Sequence, residues 1–359
     1  MPTGPDLLSG ISSRECFLIK SLIVALIEIL VLSIFMMGAF LLVFPAVSVA
    51  KGNIDKIVGP NACAECHKHE TEVWKGTHHF KTFRKMPRSK EATKIAGKMK
   101  IRRLKTNKLC QQCHFTVQNV KRKVQATAGI SCESCHAEGK DYLKVHAEFG
   151  GKKDKKDETA NEARDRWRKS EAAGMIRPEA LYNLAKNCYG CHVVPEEKLV
   201  NVGGHPAGSP FELVSWSQGE VRHNLWYSDG KSNKKANAAR RRLMYAVGIA
   251  MELETALRAI ARATIRKTYA FKMARRAARA RSKMAAIAKV LPEVSEVAAI
   301  AELGHSSGLK LNNAKALTLV ADNISLETLK LISNHNGEKL TNVDSLIPTE
   351  KKYKGSPVK

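Results

Sequence analysis

Hydrophobic and polar positions mark several helical regions along the chain of 359 residues. Residues 21–44 are almost wholly apolar, and a membrane-spanning helix needs roughly 20 such residues. From Ala236, apolar residues recur with the i, i+3, i+4 spacing of an amphipathic helix, and no strong helix breaker appears before Pro292. Shorter helical stretches are predicted near residues 293–303 and 314–334. The pattern therefore predicts that the C-terminal part of the chain is helical.

Residues 1–50 are predicted to be either a cleaved signal peptide or an N-terminal membrane anchor. Arg14 and Lys20 precede the apolar run, which places the N-terminus in the cytoplasm and the rest of the chain outside it. Ser48 and Ala50 fit the small-residue pattern of a signal-peptidase site, whereas the length of the run favours an anchor. Because both interpretations export the remaining chain, nucleic acid is excluded as a partner.

The pattern Cys-x-x-Cys-His occurs four times. It is the attachment pattern of c-type haem, in which two thiols bond to one porphyrin and the adjacent histidine ligates the iron. A zinc site, a thioredoxin-like redox pair and a disulfide framework are rival interpretations, but none requires a histidine after every second cysteine. We therefore predict four covalently attached haems c. The attachment residues are Cys63, Cys66, Cys110, Cys113, Cys132, Cys135, Cys188 and Cys191, and the proximal iron ligands are His67, His114, His136 and His192.

Eight further histidines are candidates for the sixth iron ligand. Histidine on both faces lowers the haem potential, whereas an empty sixth position opens the iron to small ligands. The predicted sixth ligands are His79, His146, His205 and His223, with His78 as the rival to His79. Surface positions are expected for His69, His305 and His335, and Met86, Met99 and Met175 are more typical of core residues.

The four motifs lie within residues 57–225. Because this region has few residues for each haem, we predict that the haems themselves form most of its core. The predicted organisation is a signal peptide or anchor at 1–50, a tetrahaem cytochrome c domain at 51–230, a basic helical extension at 231–340 and a mobile tail at 341–359.

The formal net charge of +26 indicates an acidic partner. Residues 234–289 contain 16 Lys or Arg and only two acidic residues, a local net charge of +14. Arg258, Arg262 and Arg266 stand four apart and predict one basic stripe on a helix. This region is interpreted either as a solvated helix face or as a docking surface for an acidic redox protein or an anionic membrane.

Five short segments together resemble the tetrahaem cytochrome c-554 family. They are VWKGTHH after the first motif, CQQCHFT, GISCESCHAEGKDYLKVH, NCYGCH and a late GEVRHN. The resemblance covers about residues 57–225 and implies a mostly helical fold around stacked and edge-on haem pairs. It also implies that His146 ligates the iron of a different motif from its neighbour His136. Family members carry electrons from an octahaem hydroxylamine oxidoreductase in the periplasm.

The resemblance further implies that the haem of the second motif, at Cys110, Cys113 and His114, is five-coordinate. This chain departs from the family pattern because His205 is available to fill that open position. It also reads AEGKDY where the family has glycine and proline. The N-terminal apolar segment and the long C-terminal extension are additions to the family pattern.

The function predicted from these observations is electron transfer between redox proteins by a periplasmic tetrahaem cytochrome c. One alternative is a haem enzyme that acts on nitric oxide, nitrite or hydroxylamine at one open iron. Another is a structural subunit of a conductive haem assembly, although the strong positive charge disfavours self-association. Membrane association through residues 21–44 is a further expectation.

Overall fold

The computed structural model describes residues 53–358. The predicted signal peptide or anchor at residues 1–50 lies outside the described residues. Among the described helices, none has the length and apolar character needed to cross a membrane. The described residues form one compact unit that is mostly helical, which confirms the mostly helical part of the predicted fold class.

The haem-motif region consists of short helices joined by turns and single 3-10 turns. Several helices begin at a side chain that accepts a hydrogen bond from the first turn, as Thr77 does from the Phe80 amide at 3.2 Å and Ser89 from the Ala92 amide at 3.0 Å. The helices are α1 (Pro60–Ala64), α2 (Lys68–Gly76), α3 (His78–Lys85), α4 (Lys90–Lys98), α5 (Lys108–His114), α6 (Cys132–His136), α7 (Ala160–Ala172), α8 (Leu181–His192), α9 (Glu197–Asn201) and α10 (Leu213–Ser217).

A two-stranded antiparallel hairpin lies between the second and third motifs and was not predicted from the sequence. It consists of β1 (Thr116–Val120) and β2 (Lys123–Ala128). Its two-residue turn places Lys121 and Arg122 at φ values of 50° and 61°. Residues with side chains seldom adopt such values, and the Asn-Gly signal typical of this turn is absent.

Four longer helices form the C-terminal part: α11 (Ala238–Arg262), α12 (Thr268–Val290), α13 (Ser295–Ser306) and α14 (Ala314–Asn334). The two stretches predicted near 293–303 and 314–334 are confirmed as α13 and α14. Within α11, Val247, Leu253 and Leu257 follow the predicted apolar spacing and are fully buried. Helix α11 packs against α8, α12 and α14 and is the centre of the hydrophobic core.

The prediction of an unbroken helix from Ala236 to Pro292 was wrong, because α11 ends at Arg262 and the chain turns back as α12. The Glu197 carboxylate accepts hydrogen bonds from the Thr264 amide at 2.8 Å, the Thr264 hydroxyl at 2.7 Å and the Ile265 amide at 3.3 Å. These bonds hold the backbone amides of the turn, so a residue 67 positions upstream fixes the end of the helix.

The basic stripe predicted at Arg258, Arg262 and Arg266 is also corrected. Arg258 forms ion pairs with Glu254 at 2.9 Å and with Asp322 at 2.7 Å. Arg266 lies beyond the end of α11. Arg262 and Arg266 are exposed, but the larger group of exposed basic residues on one helix lies on α12.

The last segment, expected to be a mobile tail, is packed against the rest of the protein. It forms 3-10 turns at Thr341–Leu346 and Glu350–Lys352, and Val343 is fully buried. The Lys354 amide donates to the Ser215 carbonyl at 2.9 Å, and the Lys354 carbonyl accepts from the Glu220 amide at 2.7 Å. The tail therefore covers α10 and the loop that follows it.

Candidate haem-binding site

Each Cys-x-x-Cys-His motif lies on or beside a short helix. The second and third motifs end α5 and form α6, the fourth ends α8, and the first joins α1 to α2. Residues three apart share one face of a helix, so the two cysteines of a motif point to the same side. This arrangement allows both thiols to bond to one edge of a porphyrin.

Cysteines of different motifs are neighbours. Cys63 lies beside Cys132 and Cys113 lies beside Cys191: the neighbouring thiol raises the pKa of Cys63 and of Cys191 and lowers the pKa of Cys132 and of Cys113. Burial, and secondly the neighbouring Cys191, raise the pKa of Cys135 to about 11. All eight motif cysteines are free thiols. The attachment positions therefore form one continuous series in the order first, third, fourth and second motif.

Eight histidines form four pairs with nearly equal separations. Each pair joins one motif histidine to one of the histidines predicted as a sixth ligand. His146 lies opposite His67, not beside its sequence neighbour His136. The ring centroids are 6.2 Å apart in His67–His146, 6.3 Å in His79–His192, 6.2 Å in His114–His205 and 6.1 Å in His136–His223.

These separations match two imidazoles that share one metal ion. A metal–imidazole bond is about 2.0 Å long, and the ring centre lies about 1.2 Å behind the bonding nitrogen, so two opposed ligands have ring centres about 6.4 Å apart. Among the described residues, no group of three or more His, Cys, Asp or Glu side chains is gathered as a direct metal site. The residues present therefore fit haem iron, which takes two axial ligands from the protein.

Hydrogen bonds orient the paired histidines. Their Nδ1 atoms lie within hydrogen-bonding distance of main-chain carbonyls in four cases: His136 with Ile176 at 2.8 Å, His146 with Tyr142 at 3.0 Å, His205 with Pro206 at 2.7 Å and His223 with Val221 at 2.6 Å. A carbonyl only accepts, so Nδ1 carries the proton. The Nε2 lone pair of the neutral ring is then free for a metal ion.

Burial keeps the motif histidines neutral. It lowers the pKa of His114, His136 and His192 to about 4, and it also lowers the pKa of His67 and His79. These rings are therefore unprotonated at neutral pH, which is the form that ligates iron.

The remaining histidines lie apart from the pairs. His78 points outward, and its Nδ1 lies 2.8 Å from the Glu220 carboxylate. Its neighbour His79 is the residue that faces His192. His69 and His305 are exposed, and His335 lies 3.3 Å from Glu296.

Two buried residues that the sequence analysis missed support His146. The Arg166 guanidinium donates to the His146 carbonyl at 2.8 Å. Arg166 also forms a two-bond ion pair with Glu158, at 2.6 and 2.7 Å, and the two side chains are 4% and 3% exposed. Sequence spacing does not identify Arg166 or Glu158, because Arg166 bonds to the main-chain carbonyl of His146 and not to its side chain.

Asn233 supports His223 in the same way, from both sides. Its side-chain nitrogen donates to the Arg222 carbonyl at 2.8 Å, and its oxygen accepts from the Asn224 amide at 2.8 Å. Asn233 is 3% exposed and also donates to the Val358 carbonyl at 2.9 Å. It therefore ties the loop of His223 to the C-terminal tail.

Residues 62–137 match the family described as cytochrome c554 and c-prime. This segment is similar to the cytochrome c554 family. The match contains the first three motifs and leaves the fourth motif outside it. The cytochrome c family implies covalently bound haem c, and the matched segment contains six of the eight cysteines predicted to attach it.

The chain is also similar to cytochrome c-554 of Nitrosomonas europaea, with 25% identity over 152 residues. The aligned region is 38% of this chain and 57% of that protein's length. No solved structure matches the chain. The family match thus contains the first three motifs, and the fourth motif and the C-terminal helices lie outside residues 62–137.

Proposed function

We propose that this protein is a tetrahaem c-type cytochrome that carries electrons between redox proteins outside the cytoplasm. The observation that carries the proposal is the set of four histidine pairs, each spaced for one iron and each containing the histidine of one motif. When bound, haem c supplies reversible one-electron chemistry at iron. The protein's own residues fix the position of each haem and supply both axial nitrogens.

The continuous series of attachment cysteines supports a role in electron transfer. Cys63 lies beside Cys132, Cys135 near Cys191, and Cys191 beside Cys113. Neighbouring attachment sites bring the edges of the prosthetic groups together, which suits a protein that passes electrons along its length. Export supports covalent attachment, because a covalently bound cofactor is retained outside the cell.

The haem count tests this proposal directly. The purified exported chain is expected to contain four haems c in a pyridine haemochrome assay. A variant with Cys188→Ala and Cys191→Ala is expected to contain three. The matched control is Cys16→Ala, since Cys16 belongs to no motif and its loss should leave four. A wild-type count below four contradicts the proposal.

The partner that we propose is an acidic redox protein, and α12 offers the surface for it. Lys272, Arg275, Arg279 and Lys283 are all exposed and share one face of this helix. The sequence of α12 contains no Asp or Glu. On its inner face, Arg276 is buried and paired with Glu252 at 3.1 Å. The outer face therefore presents positive charge that a negatively charged partner complements.

Charge reversal on α12 tests the partner proposal. An acidic flavodoxin, used in its reduced form, serves as the probe. We expect the second-order rate of haem reduction to fall as salt is added, and to fall about 10-fold or more at low salt in the variant K272E/R275E/R279E. The control variant K310E/K315E/K339E has the same net charge on exposed positions elsewhere. Equal rates in the two variants would show that net charge, and not this face, attracts the partner.

A further inference from the structure

We propose that His205 is a permanent sixth ligand to the iron held by His114, so that the haem of the second motif is closed. This inference rests on the proposed tetrahaem function. It differs from the open position that the family resemblance implies. Two observations support this assignment: the separation of the His205 and His114 rings, and the backbone hydrogen bonds that fix the loop of His205.

The first observation is the separation of the rings. The ring centroids of His114 and His205 are 6.2 Å apart, within the range of 6.1 to 6.3 Å spanned by the other three pairs. A polar residue that merely lined an open site would have no reason to match this separation. The Nδ1 atom of His205 donates to the Pro206 carbonyl at 2.7 Å, so Nε2 is the nitrogen left for a metal ion.

The second observation is that backbone bonds on both sides fix the loop of His205. On the N-terminal side, the His205 amide donates to the Leu199 carbonyl at 3.2 Å. On the C-terminal side, the Ala207 carbonyl accepts from the Val194 amide at 3.2 Å. The Ser209 amide donates to the His192 carbonyl at 3.1 Å. The loop is thus attached to the segment that follows the fourth motif.

Two glycines allow the tight turn that leads to His205. Gly204 has φ +76°, a conformation that favours glycine. A Cβ atom at Gly203 would lie 2.5 Å from the Leu199 carbonyl oxygen. Both residues precede His205 directly, so the sequence Gly-Gly-His provides the backbone freedom that brings the imidazole to His114.

A closed second haem has two consequences. Small molecules lose access to the iron, which removes the basis for an enzyme that acts on nitric oxide, nitrite or hydroxylamine at this haem. Histidine on both faces also lowers the potential relative to a histidine–methionine haem. Both consequences suit a protein that carries electrons without binding a substrate.

Spectroscopy of the purified four-haem protein tests the assignment. We expect the oxidised wild type to show only low-spin ferric signals in electron paramagnetic resonance. After reduction it should bind no carbon monoxide. The His205→Ala variant should show one high-spin haem and bind one carbon monoxide per chain. The control His305→Ala removes an exposed histidine of α13 and should behave as wild type.

A second variant keeps the test decisive if His205→Ala fails to fold. His205→Met retains an axial ligand and should remain low-spin, while one of the four haems titrates at a more positive potential. Binding of one carbon monoxide by wild-type protein that contains four haems would overturn the assignment of His205 alone. So would a His205→Ala spectrum identical to that of wild type. A haem count below four contradicts the proposed function instead.

Discussion

At the residue scale, Asn233 positions His223 without touching a haem ligand atom. It bonds the main chain directly before and after His223, at Arg222 and Asn224. A short amide side chain can do this only because it donates through nitrogen and accepts through oxygen at once. Because Asn233 is buried, its loss would leave the Arg222 carbonyl and the Asn224 amide without these partners.

The Asn233→Ala variant is expected to loosen His223. The unpaired main-chain groups should lower the free energy of unfolding by about 1–3 kcal/mol. In a fraction of the molecules, the haem between His136 and His223 should become high-spin. Electron paramagnetic resonance and carbon monoxide binding measure this fraction. Asn233→Asp keeps the acceptor but loses the donor and should give an intermediate effect. Asn312→Ala, at an exposed turn, is the control. A low-spin Asn233→Ala protein of lowered stability would show a structural role only.

The sequence predicts the parts of the site that depend on side-chain ligands, but not the parts that depend on bonds to the main chain. The motif histidines follow from the attachment pattern, since each must lie beside its cysteines. The four predicted sixth ligands follow from their place within the region that holds the four haem motifs, and the structure brings each of them opposite a motif histidine. Arg166 and Asn233 left no signal, because they act on main-chain atoms that every residue possesses.

At the element scale, α8 and α11 link the fourth motif to the C-terminal helices. Tyr189, between the cysteines of that motif, is fully buried. Gly248 of α11 leaves room for Leu213 of α10, since a Cβ atom there would lie 2.8 Å from that side chain. Further along α8, the Tyr182 hydroxyl donates to Glu254 of α11 at 2.9 Å. The helix that carries a haem motif is therefore part of the bundle core.

Leu253→Ala tests this linkage. Leu253 of α11 is fully buried, and its truncation should cost about 2–5 kcal/mol of unfolding free energy through the cavity left behind. Urea unfolding followed by circular dichroism and by haem absorbance should shift together, because one core supports both signals. Leu319→Ala, on an α14 position that is 59% exposed, should change stability by less than about 0.5 kcal/mol. A shift in circular dichroism alone would show that the motif region folds independently.

The longer helices were predictable because their apolar periodicity is strong, whereas their ends were not. The turn after Arg262 depends on the Glu197 carboxylate, which lies far upstream in the sequence. The hairpin depends on a turn whose residues, Lys121 and Arg122, are unusual at positive φ. Long-range contacts thus decide the features that local pattern did not predict.

At the scale of the whole molecule, the haem-motif region and the C-terminal helices share one compact unit. The tail crosses back over the chain, since the Val358 carbonyl accepts from Asn233 at 2.9 Å. This arrangement places the C-terminus against the loop that carries His223. The C-terminal helices are therefore structural support for the haem sites, in addition to providing the basic face of α12.

Removal of the C-terminal helices should consequently disrupt the haem sites. A chain that ends at residue 234 would expose Tyr189, Leu213 and Val214, which are at most 3% exposed in the full structure. It would also lose the Lys354 and Val358 contacts to the His223 loop. We expect this chain to aggregate, or to show high-spin haem opposite His136 and His192 where it remains soluble. The control begins at residue 51 and keeps its C-terminus, and it should retain low-spin spectra. A soluble truncated chain with four low-spin haems would mean that the motif region supports its own histidine pairs, and that the extension serves another purpose.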